Sequence, residues 1–232
     1  MFAEMDITTT KHGLRMSQHG IVISELRTSP GPTHSVADVL AGLISVLRPK
    51  GRIGVLGFAG GGMQAPLCAL GVETKVDAVD LDRLGYDLFR WHCPEWTRRV
   101  NWKKADAVKW LRAQPADFDL IVEDLSVPSD GDVFKPSITW DILPPLICER
   151  LAPGGIAIFN LMPPPSGVWL RDVERIARMF GTTQLVSFDD FTNRILVAGK
   201  SIPPVRELGK MLRTALRGIR SQQAERIHLR TA

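Results

Sequence analysis

The sequence predicts an α/β domain built on a mostly parallel sheet with an antiparallel end, and three observations predict it. Short apolar runs alternate with helix-period stretches from residue 53 onward, the pattern of repeated strand–helix–strand units. The run 53–56 stops at a glycine-rich turn, Gly57-Phe58-Ala59-Gly60-Gly61-Gly62, and the next run, 76–79, ends in Asp80. The last two extended runs, 184–188 and 194–198, are separated by five residues, too few for a parallel crossover and right for a hairpin.

The elements follow in order. Residues 1–29 form a short N-terminal β extension of one or two strands, the clearest over 20–26, before Ser29-Pro30-Gly31-Pro32 breaks the chain. Ser35 reads as a helix cap with Asp38 three residues on, and Val36, Leu40, Leu43 and Leu47 recur at helical spacing. That helix ends at Arg48-Pro49-Lys50-Gly51, and the first parallel strand follows. After Asp80 come a helix over 83–92, a strand at 100–102, a helix from Ala105-Asp106-Ala107 to Leu111, and a strand over 118–124 with acids at its carboxyl end. Residues 126–139, rich in Pro, Ser, Asp and Gly, form a loop long enough to suggest function. Pro144-Pro145 start a helix, Pro153-Gly154-Gly155 turn the chain into a fifth strand over 156–161, and a helix over 167–180 precedes the hairpin. The main α/β domain thus covers 30–200, and 201–232 form a tail whose Leu208, Met211, Leu212, Ala215, Leu216 and Ile219 make the apolar stripe of a final helix.

Charge is uneven. The chain carries a net +4, but residues 201–232 hold seven Lys/Arg against Glu207 and Glu225, so the rest is close to neutral. A basic tail on a neutral body gives little reason to expect nucleic acid in an active site. No apolar run reaches the roughly 18 residues of a membrane span. The first residues lack a secretory signal pattern, and Cys68, Cys93 and Cys148 are scattered, which reads as three buried thiols in a reducing cytoplasm. His92-Cys93 has no partner at metal-ligand spacing, so no metal is expected.

The glycine turn and Asp80 carry the functional signal. In a right-handed βαβ unit both emerge at the carboxyl edge of the sheet, where open α/β sheets bind ligands. Their separation is close to the ~20 residues between a nucleoside site's glycines and its ribose-binding acid. The turn lacks GxGxxG spacing, which weakens a nicotinamide reading. Asp106 reads either as the cap of its helix or as a site residue. Glu123 and Asp124 point to opposite faces of their strand, so one faces the site and the other serves as an interior or interface partner. Trp140 and Trp169 follow loops at the ligand edge and are the tryptophans suited to stacking on a ligand, whereas Met162-Pro163-Pro164-Pro165 only directs the chain off the sheet.

Together, VLGFAGGG, AVDLD, KADAVKWL, FDLIVEDLS and LAPGGIAIFNL resemble the spermidine synthase-like branch of the class I S-adenosylmethionine-dependent methyltransferase superfamily, over roughly residues 30–200. The resemblance implies a Rossmann-like class I methyltransferase fold and a set of roles. Gly57, Gly60 and Gly62 form the turn beside the amino-acid end of the cofactor, Asp80 holds the ribose, and Asp106 accepts from the adenine amino group with backbone near Ala107 on the ring. Asp124 matches the first aspartate of the DSSDP-like motif of aminopropyltransferases, which helps receive the proton of an attacking amine. His34 falls near a family histidine at the cofactor site. The chain departs from the family where a second, polyamine-binding aspartate belongs: it reads Asp124-Leu125-Ser126-Val127-Pro128, with Asp130 and Asp132 as substitutes within reach of the same loop. The N-terminal part is also shorter than the β-rich domain of true spermidine synthases. The expected function is therefore a cytoplasmic transferase using S-adenosylmethionine, methyl transfer being favoured by the missing aspartate. Aminopropyl transfer from decarboxylated S-adenosylmethionine and a non-catalytic nucleoside-binding homologue are the alternatives. The expected partners are a small-molecule acceptor, an amine among the candidates, and a second copy in a homodimer.

Overall fold

The computed structural model describes residues 5–47, 49–129, 132–164 and 169–232. Arg48, Asp130, Pro165 and Gly167, each used in the reading above, lie outside the described residues. Three N-terminal strands, β1 (Asp6–Thr10), β2 (Gly13–Gln18) and β3 (Ile21–Arg27), form an antiparallel sheet of their own. The extension is therefore three strands rather than one or two. Helix α1 (Val36–Leu47) leads to β4 (Arg52–Leu56), α2 (Gln64–Ala69), β5 (Val76–Asp80), α3 (Leu84–His92), a 3-10 turn (Pro94–Arg99) and β6 (Val100–Lys104). Next come α4 (Ala107–Arg112), β7 (Phe118–Glu123), a small hairpin of β8 (Val127–Ser129) and β9 (Asp132–Phe134), α5 (Ile138–Asp141) and α6 (Leu143–Arg150). The chain closes with β10 (Leu151–Leu161), α7 (Leu170–Ala177), β11 (Thr183–Phe188), β12 (Arg194–Ala198), α8 (Val205–Gly218), a 3-10 turn (Gln222–Glu225) and β13 (Ile227–Thr231).

Among the described residues the main sheet has eight strands in the order β13-β11-β12-β10-β7-β4-β5-β6. Strands β10, β7, β4, β5 and β6 pair in parallel, and β12, β11 and β13 add an antiparallel end. The apolar runs of β4 and β7 are continuous rather than alternating because helices cover both faces. Successive residues then feed two cores: Leu120 and Val122 join α1 and α8 on one face, while Ile121 joins α4, α6 and α7 on the other. Chain order reverses direction at β4, whose neighbours are β5 and β7, and this is the position at which such sheets open a crevice beyond their strand ends.

Two features of the C-terminal part were not anticipated. β13 covers the edge of β11, although Ile227-His228-Leu229-Arg230 alternates apolar and polar as a strand should. The second is a clasp: Asp38, closed to solvent in α1, accepts hydrogen bonds from Thr33 N (2.7 Å), Thr33 Oγ1 (2.7 Å), His34 N (2.9 Å) and Ser221 Oγ (2.6 Å). α8 lies along α1 with Leu208, Leu212 and Leu216 buried, and a side chain at Gly42 would approach Leu212 to 2.8 Å. The three cysteines are free thiols, but only Cys93 is buried, and Cys148 is exposed on α6. Burial raises the Cys93 thiol to about 11, so it is inert at neutral pH. No described helix is long and apolar enough to cross a membrane, and no group of metal-ligating side chains forms among the described residues.

Candidate active site

The carboxyl ends of β4, β5 and β7 converge on one hollow of about 500 Å³. At the end of β4, Gly57 has φ 92° and donates to Val79 O at 3.0 Å, while a side chain there would lie 2.6 Å from Asp124 O. Only glycine lets β7 come so close. The next two amides, Phe58 N and Ala59 N, donate to Asp80 Oδ2 at 2.9 and 2.8 Å. Asp80 therefore faces the turn and shapes it, holding Ala59 at a left-handed φ of 45° that alanine rarely adopts. Its other oxygen accepts from Asp82 N at 3.2 Å, and its carboxylate lines the hollow.

Gly60 and Gly62 serve a different wall. A side chain on Gly60 would overlap Met16 Cε at 1.5 Å, and one on Gly62 would press on Ser24 Oγ at 3.2 Å. These glycines let the N-terminal sheet lie against the turn, and that sheet roofs the hollow with Met16, Gln18, His19 and Ile23. Beneath the turn, Phe58 packs edge-on against Tyr86 and Phe89, and Tyr86 stacks on Trp102 at 4.5 Å.

Asp106 caps α4, its Oδ1 accepting from Lys109 N at 2.9 Å, and it also lines the hollow together with Ala107. Asp124, held by Leu56 O through its own amide at 2.8 Å, presents its carboxylate to the cavity. Desolvation lifts its pKa to about 6; the Lys135 charge and the Asn160 hydrogen bond oppose the rise, and the neighbouring carboxylates of Glu123 and Asp80 add to it. Asn160 Nδ2 donates to Asp124 Oδ1 at 2.7 Å, and Asn193 Nδ2 donates to Asn160 Oδ1 at 2.9 Å, so a chain of two amides orients the acid.

Glu123 points the other way, closed to solvent. It receives Thr139 Oγ1 at 2.7 Å and Leu125 N at 3.2 Å on Oε1, and its Oε2 meets the equally buried Lys135 Nζ at 2.9 Å in an ion pair without good hydrogen-bond angles. Lys135 also donates to Leu125 O. This pair was not legible as such: a lysine in a polar loop gives no sign of burial. Asn160 did leave a signal, as the one polar residue of the run Ile156-Ala157-Ile158-Phe159-Asn160-Leu161. The roofing residues of β2 and β3 left none.

Several expected neighbours lie elsewhere. Trp140 and Trp169 pack edge-on against each other, 6.4 Å apart, and do not line the hollow. His34 accepts from Gln222 N at 3.3 Å in the C-terminal clasp. Asp132 is exposed, its carboxylate taken by Val133 N. A larger hollow, about 740 Å³ between α1 and α8, has Glu73, Glu207 and Lys210 as its charged lining and none of the converging acids. The chemistry belongs to the smaller one.

Comparison with protein-family models and with curated proteins gives no match. Solved structures do match. A probable spermidine synthase from Corynebacterium glutamicum superposes with a TM-score of 0.73 at 16% identity, over 98% of this chain and 87% of that one. A spermidine synthase in complex with the transition-state analogue AdoDATO gives 0.65 at 18%, over 88% and 72%. Human methyltransferase-like protein 13 in complex with SAH gives 0.60 at 19%, over 78% and 90%. The chain has the class I methyltransferase fold shared by these proteins. The probable spermidine synthase from Corynebacterium glutamicum aligns with 98% of the chain, so the likeness in fold runs beyond the 30–200 core into the flanking segments.

Proposed function

We propose that the hollow binds an adenosyl sulfonium compound and that the protein transfers an alkyl group from it to a small nucleophile. The observation that carries this reading is the charge of the lining. Asp80, Asp82, Asp106 and Asp124 all line the hollow, and no Lys or Arg does among the described residues. Such a donor set suits a cation. Asp80 is positioned for ribose hydroxyls through the oxygen that the turn leaves less engaged, Asp106 for the adenine amino group through the oxygen not used in capping, and Ala107 for backbone contact with the ring. Gly57 keeps the strand ends close, and Gly60 and Gly62 keep the roof close. A sulfonium supplies an electrophilic carbon whose leaving group is a neutral thioether. Asp124 takes the proton released by the attacking nucleophile, a task suited to a carboxyl poised near 6. The roof excludes water from that exchange.

The lining also bears on which sulfonium binds. The amides of Gly57, Phe58, Ala59 and Gly61 donate to Val79 O, Asp80 and Phe58 O within the protein. A donor carrying a carboxylate would meet acids without a cation to pair with it, so the lining favours decarboxylated S-adenosylmethionine and aminopropyl transfer. Methyl transfer is the second reading, and Val127 favours it, because that side chain offers nothing to a polyamine.

Calorimetry with both sulfonium compounds tests the proposal. Binding of the decarboxylated form, followed by amine-dependent release of 5′-methylthioadenosine, is expected. Binding of S-adenosylmethionine alone would move the assignment to methyl transfer, and binding of neither would remove the transferase reading.

A further inference from the structure

The hollow has two unlike halves. The acids Asp80, Asp82 and Asp106 follow β5 and β6, whereas the wall beyond Asp124 is formed by Leu125, Val127, Pro136 and Ile138, apolar but for Ser126. Met5, just before β1, and Met16 of β2 also line the hollow, unbranched thioether chains that fit themselves to apolar shapes. Val127 is 49% exposed and open to the cavity. Among the described residues the loop's carboxylates are engaged elsewhere: Glu123 is buried on Lys135, and Asp132 is exposed outside the lining. Lys135 itself sits behind the wall on Leu125 O, so the Glu123–Lys135 pair leaves no net negative charge there.

We propose that the acceptor is an amphiphile with one nucleophilic head, placed at Asp124, and an apolar body lying against Val127, Pro136 and Ile138, not a polycation. This rests on the transferase reading above. An ammonium group pressed on that wall would lose its water without gaining a carboxylate among the described residues, which is unfavourable, whereas an alkyl or aryl body gains by leaving water. During transfer the new bond forms from the head to the carbon on sulfur, the carbon–sulfur bond breaks with its electron pair going to sulfur, and the head's proton passes to Asp124.

The test is calorimetry of the full chain saturated with 5′-methylthioadenosine, comparing hexylamine with 1,6-diaminohexane, which differ only at the far end. Hexylamine is expected to bind at least about tenfold more tightly, with Val127→Asp reversing the order and Ile138→Ala weakening hexylamine. Equal or tighter binding of the diamine by the native protein, or binding of neither amine, overturns the acceptor proposal while the nucleoside reading stands. Failure of 5′-methylthioadenosine itself to bind overturns both.

Discussion

Lys135 and Glu123 meet at 2.9 Å with both side chains closed to solvent, and their pair fastens the loop after β7 to the residue just before Asp124. Removing one partner strands the other charge in the interior. Lys135→Met should therefore lower stability by about 3–5 kcal/mol, and the double variant Glu123→Gln/Lys135→Met should recover much of that loss. Urea denaturation of the two single variants and the double variant reads the coupling. Additive losses would show that the pair contributes no specific interaction.

Asp124 gives a pH signature with a definite sign. Its carboxyl titrates near 3.8 ordinarily and near 6 in the fold, so the folded state favours the protonated form. The associated stability is complete below about 3.8 and is lost as pH rises through about 6. Asp124→Asn, which keeps an oxygen for Asn160, should stabilise the protein at pH 8 by on the order of 2 kcal/mol after allowance for its opening to the cavity, and by nothing at pH 3. The transfer rate should climb with pH through about 6 in the native protein and collapse in the variant. An unchanged rate profile in Asp124→Asn would remove the acid from the chemistry.

Asp80 and Asp124 should separate binding from turnover. Asp80→Ala leaves the Phe58 and Ala59 amides without their acceptor and removes the proposed ribose contact, so nucleoside affinity should fall about a hundredfold or more. Asp124→Asn should retain affinity and lose rate. Equal losses of affinity in both would contradict the division of labour.

Gly60 links the turn to the roof. Gly60→Ala drives its new methyl group into Met16 Cε and should weaken nucleoside binding by lifting the N-terminal sheet. Met16→Ala in the same chain should restore part of the affinity, because the obstacle is the end of a flexible side chain. Calorimetry of the single and double variants decides, and an absence of rescue would place the damage in the turn itself.

Most of the architecture was legible because burial on both faces writes apolar runs into β4 and β7, and glycines and prolines punctuate the chain between elements. The acids at those ends could be read from the same pattern. What escaped depends on contacts distant in sequence: the roof of β2 and β3, whose residues carry no chemical signature, and Lys135, whose burial is decided by Glu123. The role of Gly60 and Gly62 was legible only in part, since their need for close approach was evident but the approaching partner was Met16 and Ser24. β13 is the opposite case, a short alternating strand hidden within a segment dominated by its basic charge.

The bond from Ser221 to Asp38 closes a loop of 183 positions, among the most non-local contacts in the molecule. Contacts of that span are entropically expensive to form early, so the clasp is expected to assemble after the folding barrier has been crossed. Ser221→Ala should accordingly speed unfolding and leave the refolding rate nearly unchanged, a split readable from the two arms of a chevron plot. The joint between the chain's distant ends thus acts as a brake on opening: it governs how long the native state lasts rather than how quickly it is reached.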